Sequence, residues 1–359
     1  MPDLATIDAV VALRFATQGL TGSPFATPAE AVGTLAAVQA QDFSGAKWSL
    51  GLRTGWTDAA ITQAFDKGVL LRTHVLRPTW HFVLPADIRW MLALTAPKVL
   101  AQSAGLHRQE GLDARVFLQA EAVFERALAA GSHLTRPELG ARLAEAGIAA
   151  DKLRLTLIVM HAELVGLICS GPVRGKQQTY ALLDDRAPDG PRFERDEALA
   201  MLAARFFSGH GPASVRDFAR WSGLTLTQAR AGLGETAKGL QSIRHDGETL
   251  WFRDMGRSAQ PNAPPAFLIP EYDEVVLTYP DLNIPGLGGG SPERPDFPSR
   301  PVVVGGQSLG TWRRTVVRHA VAVEVHPSAA LGPAEAAAIT AAVEAYGAFM
   351  ALHADWQAR

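Results

Sequence analysis

Residues 135–146 read TRPELGARLAEA, and residues 214–222 read SVRDFARWS. Each stretch opens on a hydroxyl residue with an acid three positions later, Thr135 with Glu138 and Ser214 with Asp217. That spacing is a capping box. The hydroxyl accepts from a first-turn backbone N–H and the acid reaches back to the cap, so two orphaned donors are satisfied. Thr27-Pro28-Ala29-Glu30 is a third case, with proline at the first helical position, where its missing N–H costs nothing. Each box is expected to open a short amphipathic helix that follows another helix.

The sequence after each box is also alike. After the Thr135 box a helix is expected over about 151–166, then the β-branched runs LICSGPV and QQTYALL around a basic tip, Arg174-Gly175-Lys176. After the Ser214 box come a helix near 225–238 and the strands LQSIR and TLWFR, joined through an Asp246-Gly247 turn. After the Thr27 box come a helix near 58–67 and the strands LLRTHV and TWHFV around Leu76-Arg77-Pro78. Three helices and a hairpin, three times over, is the winged-helix plan, whose third helix can lie in a DNA groove while the wing touches the backbone.

The expected units are residues 1–112, 113–190 and 191–260. In 261–359, Pro261–Pro265 and the Gly/Pro-rich run 284–301 read as loops, and Gly286–Gly290 lacks the flanking strand, helix and lysine of a phosphate cradle. AFLIP, EVVLTY, PVVVGG, GTWRRTVVR and AVAVEVHP read as strands, followed by an Ala-rich helix near 333–353. The expected fold class is α+β: three tandem winged-helix units, then a small mixed α/β, β-rich C-terminal segment.

Composition narrows the function. Hydrophobic residues at 47% and charged residues at 19% describe a folded protein. No run approaches the roughly 18 apolar residues of a membrane span, and the N-terminal MPDLATIDAVVALRF lacks the basic start of a signal peptide. The single cysteine, Cys169, rules out an internal disulfide and a thiolate-based zinc site. A cytoplasmic, nucleoid-associated monomer with no membrane partner, no metal and no cofactor is expected. The net charge of −2 is unusual for a DNA binder, although 28 of the 34 basic residues are arginines, suited to bidentate phosphate contacts. A codon bias explains the arginines equally well.

Val38-Gln39-Ala40-Gln41-Asp42 stands out. It is expected in a functional loop, roughly fifteen residues longer than its counterparts, between the second and third helices of the first unit. In extended backbone Gln39 and Gln41 share a face, where two amides can hold one water molecule. An N-glycosidic bond to an N7-alkylated purine already has a cationic leaving group, so positioned water and a stabilised oxocarbenium-like sugar suffice. Asp42 is a candidate base or electrostatic partner. A polar pair at a helix end is also a common structural device, and spacing alone leaves both readings open. His74 and His81 read equally as hairpin residues or as functional ones. His161 and Trp80 read as core, and of Arg313 and Arg314 at most one can face DNA. No serine-hydrolase elbow is present.

Several stretches resemble one known family: Val38–Asp42, LLRTHVLRPTWHFVLPADI (70–88), GPASVRDFARWSGLT (211–225), LIPEYDEVVLTY (268–279) and Gly310-Thr311-Trp312-Arg313. Over about residues 10–350 the chain is similar to the HTH_42 winged-helix family, which includes the AlkZ-like and YcaQ-like bacterial DNA glycosylases. Gln-x-Gln matches the AlkZ type, whereas the YcaQ type has Gln-x-Asp. The resemblance implies a monofunctional glycosylase that excises alkylated purines, in some members from interstrand crosslinks, with Gln39 and Gln41 as the catalytic pair. It also implies a concave surface for double-stranded DNA. Arg72, His74, Arg77, Thr79 and His81 of the first wing, with Arg174, Lys176 and Arg313, are the candidate DNA contacts. A non-catalytic winged-helix regulator, or a protein-binding scaffold, is the alternative.

Overall fold

The computed structural model describes residues 7–253, 266–279, 290–291, 294–298 and 300–359. The first described elements are helices α1 (Ile7–Thr17) and α2 (Pro28–Leu35), then the short strand β1 (Val38–Gln39). Helices α3 (Phe43–Thr54) and α4 (Asp58–Asp66) follow, then strands β2 (Leu71–His74) and β3 (Trp80–Val83), and the long helix α5 (Pro85–Gln109). The strands form an antiparallel sheet in the order β1-β3-β2.

The pattern recurs in α6 (Ala114–Leu128), β4 (Leu134–Thr135), α7 (Arg136–Glu145), α8 (Lys152–Leu164), β5 (Ile168–Ser170) and β6 (Thr179–Leu182), closed by α9 (Leu183–Arg186). Its sheet has the same order, β4-β6-β5. It recurs again in α10 (Arg195–Gly209), α11 (Val215–Ser222), α12 (Leu226–Thr236), β7 (Gln241–His245) and β8 (Glu248–Phe252), where the first strand shrinks to a single bridge between Ala213 and Trp251. Both full capping boxes form, at Thr135 and at Ser214.

One expectation is corrected here. Residues 43–54 are not a long loop but helix α3, and Val38–Gln39 is the strand that precedes it. The first-unit counterpart of Thr135 and Ser214 is therefore Asp42, whose carboxylate accepts from Ser44 N at 3.1 Å. Thr27 caps the helix before the sheet. The reason is compositional. FSGAKWSLGLRT carries two glycines, which weaken helix propensity, and burial of most of its positions leaves no polar face for a 3.6-residue period.

The C-terminal part comprises β9 (Ala266–Leu268), α13 (Glu274–Thr278), β10 (Gly290–Ser291), β11 (Arg294–Pro298), β12 (Pro301–Val304), β13 (Gln307–Val317), β14 (Ala320–Pro327), α14 (Pro333–Met350) and β15 (His353–Ala358). Five strands form a sheet in the order β15-β14-β13-β12-β9, antiparallel except for the β14–β15 pair. EVVLTY is thus a helix and not the expected strand: the Asp273 carboxylate caps it by accepting from Val275 N at 3.0 Å, overriding the β-branched composition. The loop expected at Pro261–Pro265 lies outside the described residues, as does Gly286–Gly289. Within the other expected loop, β10 and β11 pair as antiparallel strands.

Among the described residues, two apolar clusters hold the fold. One joins Leu35, Val38, Trp48 and Leu50 of the first unit to Leu268, Val302, Trp312 and Tyr346 of the C-terminal part. The Trp48 ring meets Tyr346 edge-on at 4.8 Å, and its indole N–H donates to Leu268 O at 2.6 Å. The other cluster runs from the first wing and α5 through the second and third repeats. The segment around Gln39 sits between these clusters.

Candidate active site

Strand β1 pairs with β3 so that Val38 faces Phe82 and Gln39 faces His81, while Thr73 of β2 lies opposite His81 on the other side. Gln39, His81 and Thr73 therefore form one row across the sheet, because directly paired residues share a face. Gln39 is nearly buried, at 5% exposure, and its amide is held from two sides. Its backbone N–H donates to Glu274 Oε1 at 2.7 Å, and its side-chain Oε1 accepts from Arg77 at 2.8 Å. Glu274 Oε2 in turn accepts from the Trp221 indole at 2.7 Å. Among the described residues Gln39 Nε2 has no protein partner. Gln41, two positions on, is exposed, and its Oε1 makes a long contact of 3.4 Å with the Trp80 backbone N–H.

Burial dominates the electrostatics of this cluster. Glu274 is fully buried and its carboxyl is pushed above its ordinary value by desolvation, opposed by the donors from Gln39 and Trp221 and by the charge of Arg77. His81 is also fully buried. Desolvation, reinforced by the Arg77 charge, drives its pKa well below the usual histidine value. Its Nδ1 lies 3.0 Å from the Thr79 carbonyl, which can only accept, so the neutral ring carries its proton there. Behind the site Asp273 accepts from both guanidinium ends of Arg53, at 2.7 and 2.8 Å, and from Ser49 at 2.6 Å. Asp42 shares its carboxylate between the α3 cap and a 4.0 Å approach to Arg300.

A family model for AlkZ-like DNA glycosylases matches residues 32–349. The chain belongs to that family. The glycosylase is 27% identical over 299 residues to an interstrand DNA cross-link repair glycosylase of Streptomyces sahachiroi, over 78% of this chain and 74% of that protein. Its fold is similar to the solved structure of the Streptomyces sahachiroi DNA glycosylase AlkZ, with a TM-score of 0.79 and 22% identity, covering 99% of this chain and 100% of that one. The protein is accordingly a DNA glycosylase, a hydrolase of the N-glycosidic bond that acts in DNA repair.

Within the glycosylase the sequence-derived candidates divide. Gln39, Arg77 and His81 come together on or beside one face of the first sheet, as described. Arg72 and His74 do not join them, because strand alternation turns both to the opposite face. There the Arg72 guanidinium lies 4.3 Å over the Trp80 ring and donates to Ala40 O at 2.9 Å, while His74 Nδ1 sits 2.5 Å from Glu163 of α8. The wing, expected to contact DNA, is packed against the rest of the chain. The second repeat packs against it through Ser170 and Glu163, which cover Arg72 and His74; His81, on the other face, is buried as well. Thr79 is half-buried and offers its carbonyl to His81.

Arg174 at the second tip pairs with Glu138 at 2.8 Å, and Lys176 beside it is exposed. Arg313 is exposed on β13, whereas Arg314 folds against Tyr346. Among the described residues no group of three or more His, Cys, Asp or Glu side chains could hold a metal, and no helix is long and apolar enough to cross a membrane. Glu274 and Trp221 were missed as parts of the site, and Glu163 as the buried partner of His74 on the other face. Each acid stands in an apolar run, LIPEYDEVVLTY and LIVMHAELVG, and an acid there carries a partner when the run is buried.

Proposed function

We propose that this protein is a monofunctional glycosylase that hydrolyses the bond from C1′ to N9 of N7-alkylated purines in double-stranded DNA. The amides of Gln39 and Gln41 handle the attacking water. The observation that carries this reading is the clamped Gln39, held by strand pairing, Glu274 and Arg77, two positions before the exposed Gln41. The water oxygen bonds to C1′ and the C1′–N9 pair withdraws into the purine, neutralising its N7 cation. One water proton leaves to solvent, and Asp42 can ease that departure. No amine nucleophile or strong acid is needed, because the leaving group departs neutral.

The three repeats of helix, strand, helix, helix and hairpin are read as winged-helix units, and exposed Lys176 and Arg313 as contacts to the DNA backbone. We read the protein as a monomer of the cytoplasm, associated with the nucleoid. The relative's role in cross-link repair makes a crosslinked duplex a second substrate to try. The test is release of base from N7-methylguanine duplex by wild type and by Gln39→Ala/Gln41→Ala. Release by wild type, reduced about 100-fold or more in the double variant at equal DNA affinity, supports the reading. Equal release by both would sink the role of the amides.

A further inference from the structure

We propose that Arg77 is a positioning residue that fixes the Gln39 carboxamide with its oxygen turned inward, so that Gln39 meets the substrate only as an N–H donor. This rests on the proposed hydrolysis. A guanidinium has donors and no acceptor, so the atom of Gln39 that lies 2.8 Å from Arg77 must be the carbonyl oxygen. With that oxygen engaged by Arg77, the Gln39 amide nitrogen, which has no protein partner among the described residues, is the group that Gln39 offers. An amide in that pose donates an N–H to the water oxygen and leaves the water protons to other acceptors, of which Gln41 Oε1 is one. The two glutamines are therefore not interchangeable.

The surroundings of Arg77 support a built clamp. Leu76, just before it, adopts φ +65°, a conformation that strains a branched side chain, and its backbone N–H is tied to Thr95 Oγ1 at 3.1 Å. The Arg77 stem runs past Gly223, the left-handed cap of α11, where an added methyl would lie 2.5 Å from Leu76 O and 3.3 Å from Arg77 Cγ. The third repeat thus walls in the turn that presents Arg77. An arginine serving only as a phosphate contact needs no strained turn and no wall.

The experiment compares wild type with Arg77→Met, Arg77→Lys and Gln39→Glu. It measures single-turnover base release from N7-methylguanine duplex and duplex affinity across a salt series. Arg77→Met is expected to slow release on the order of 10–100-fold while leaving affinity and its salt slope at wild-type values. Arg77→Lys, which restores one donor, recovers part of the rate. Gln39→Glu keeps the Arg77 contact but loses both N–H donors, so it is expected to slow release at least as much as Arg77→Met.

Weaker binding by Arg77→Met, with a salt slope shallower by about 0.9 and an unchanged saturated rate, would make Arg77 a phosphate contact and overturn the inference. A wild-type rate in Gln39→Glu would overturn it equally, because the acceptor and not the donor would then suffice. Gln39→Glu and Arg77→Lys carry the test if Arg77→Met does not fold. Absence of release by the wild-type protein, by contrast, overturns the hydrolysis itself, and the inference falls with it.

Discussion

Two adjacent acids behind the site, Asp273 and Glu274, are buried alike and displaced in opposite directions. Burial pushes both up, but Arg53, with donors from Ser49 and the Val275 N–H, more than offsets it for Asp273 and holds that carboxyl below its usual value. Folding therefore favours ionised Asp273. Its contribution to stability is complete above about pH 4, the unfolded value, and is lost as pH falls through the lower folded one. Asp273→Asn leaves Arg53 buried without a charge partner and is expected to cost about 3–5 kcal/mol, read by urea denaturation at pH 7. Acid sensitivity below pH 4 should lessen in the same variant. Glu274 instead accepts from two neutral donors. In Glu274→Gln one of the two positions becomes an N–H facing an N–H, which loosens either β1 or Trp221. Base release should fall about 10-fold or more with DNA affinity unchanged, and a wild-type rate would remove Glu274 from the support of Gln39. The Gln-x-Gln spacing was legible because alternation is a local property. The supports of Gln39 were not, since Glu274 and Gln39 are 235 positions apart.

At the scale of elements, the signals that carried through were local chemistry: capping boxes, turn residues and the Ala-rich helix α14. Those that failed did so where burial had erased periodicity. Helix α3 has no polar face to betray it, α13 is a helix despite a β-branched run, and β15 (HADWQA) is too polar to read as a strand. The wing was legible as a hairpin but not as a buried one, because α8 and β5 of the second repeat, which cover it, follow more than sixty residues later. Helix α3 also allows the two possible roles of Asp42 to be separated. Asp42→Ala removes both the cap and the charge, and should destabilise the protein by about 1 kcal/mol. Asp42→Asn keeps the cap. If Asp42 only caps α3, the Asn variant will match wild type in melting temperature and in base release. If its charge assists the departing proton, the Asn variant will melt like wild type but release base more slowly.

Over the whole molecule, the unit boundaries suggested by the repeats do not coincide with the cores. A unit ending at residue 112 has its own sheet, yet Leu35, Val38, Trp48 and Leu50 bury against Leu268, Val302, Trp312 and Tyr346 from the far end of the chain. Trp48 loses both its ring contact and its indole acceptor when residues 266–359 are absent. Each large apolar side chain returned to water forfeits roughly 1.5–3 kcal/mol, so exposing three or four of them removes much of the ~5–15 kcal/mol that holds an ordinary domain. A fragment of residues 1–112 is therefore expected to show no cooperative thermal transition, whereas the full chain melts with the first unit and the C-terminal sheet together. Tryptophan fluorescence and circular dichroism, followed in the same melt, test this. A sharp transition in the isolated fragment would show that the first unit is self-sufficient and that the shared cluster is merely an interface. The consequence for the active site is direct. The strand that carries Gln39 is braced by Glu274 and, through it, by Trp221, from parts of the chain that must all be folded before the amide is held. Loss of the C-terminal part should then abolish base release even where duplex binding by the remaining repeats survives.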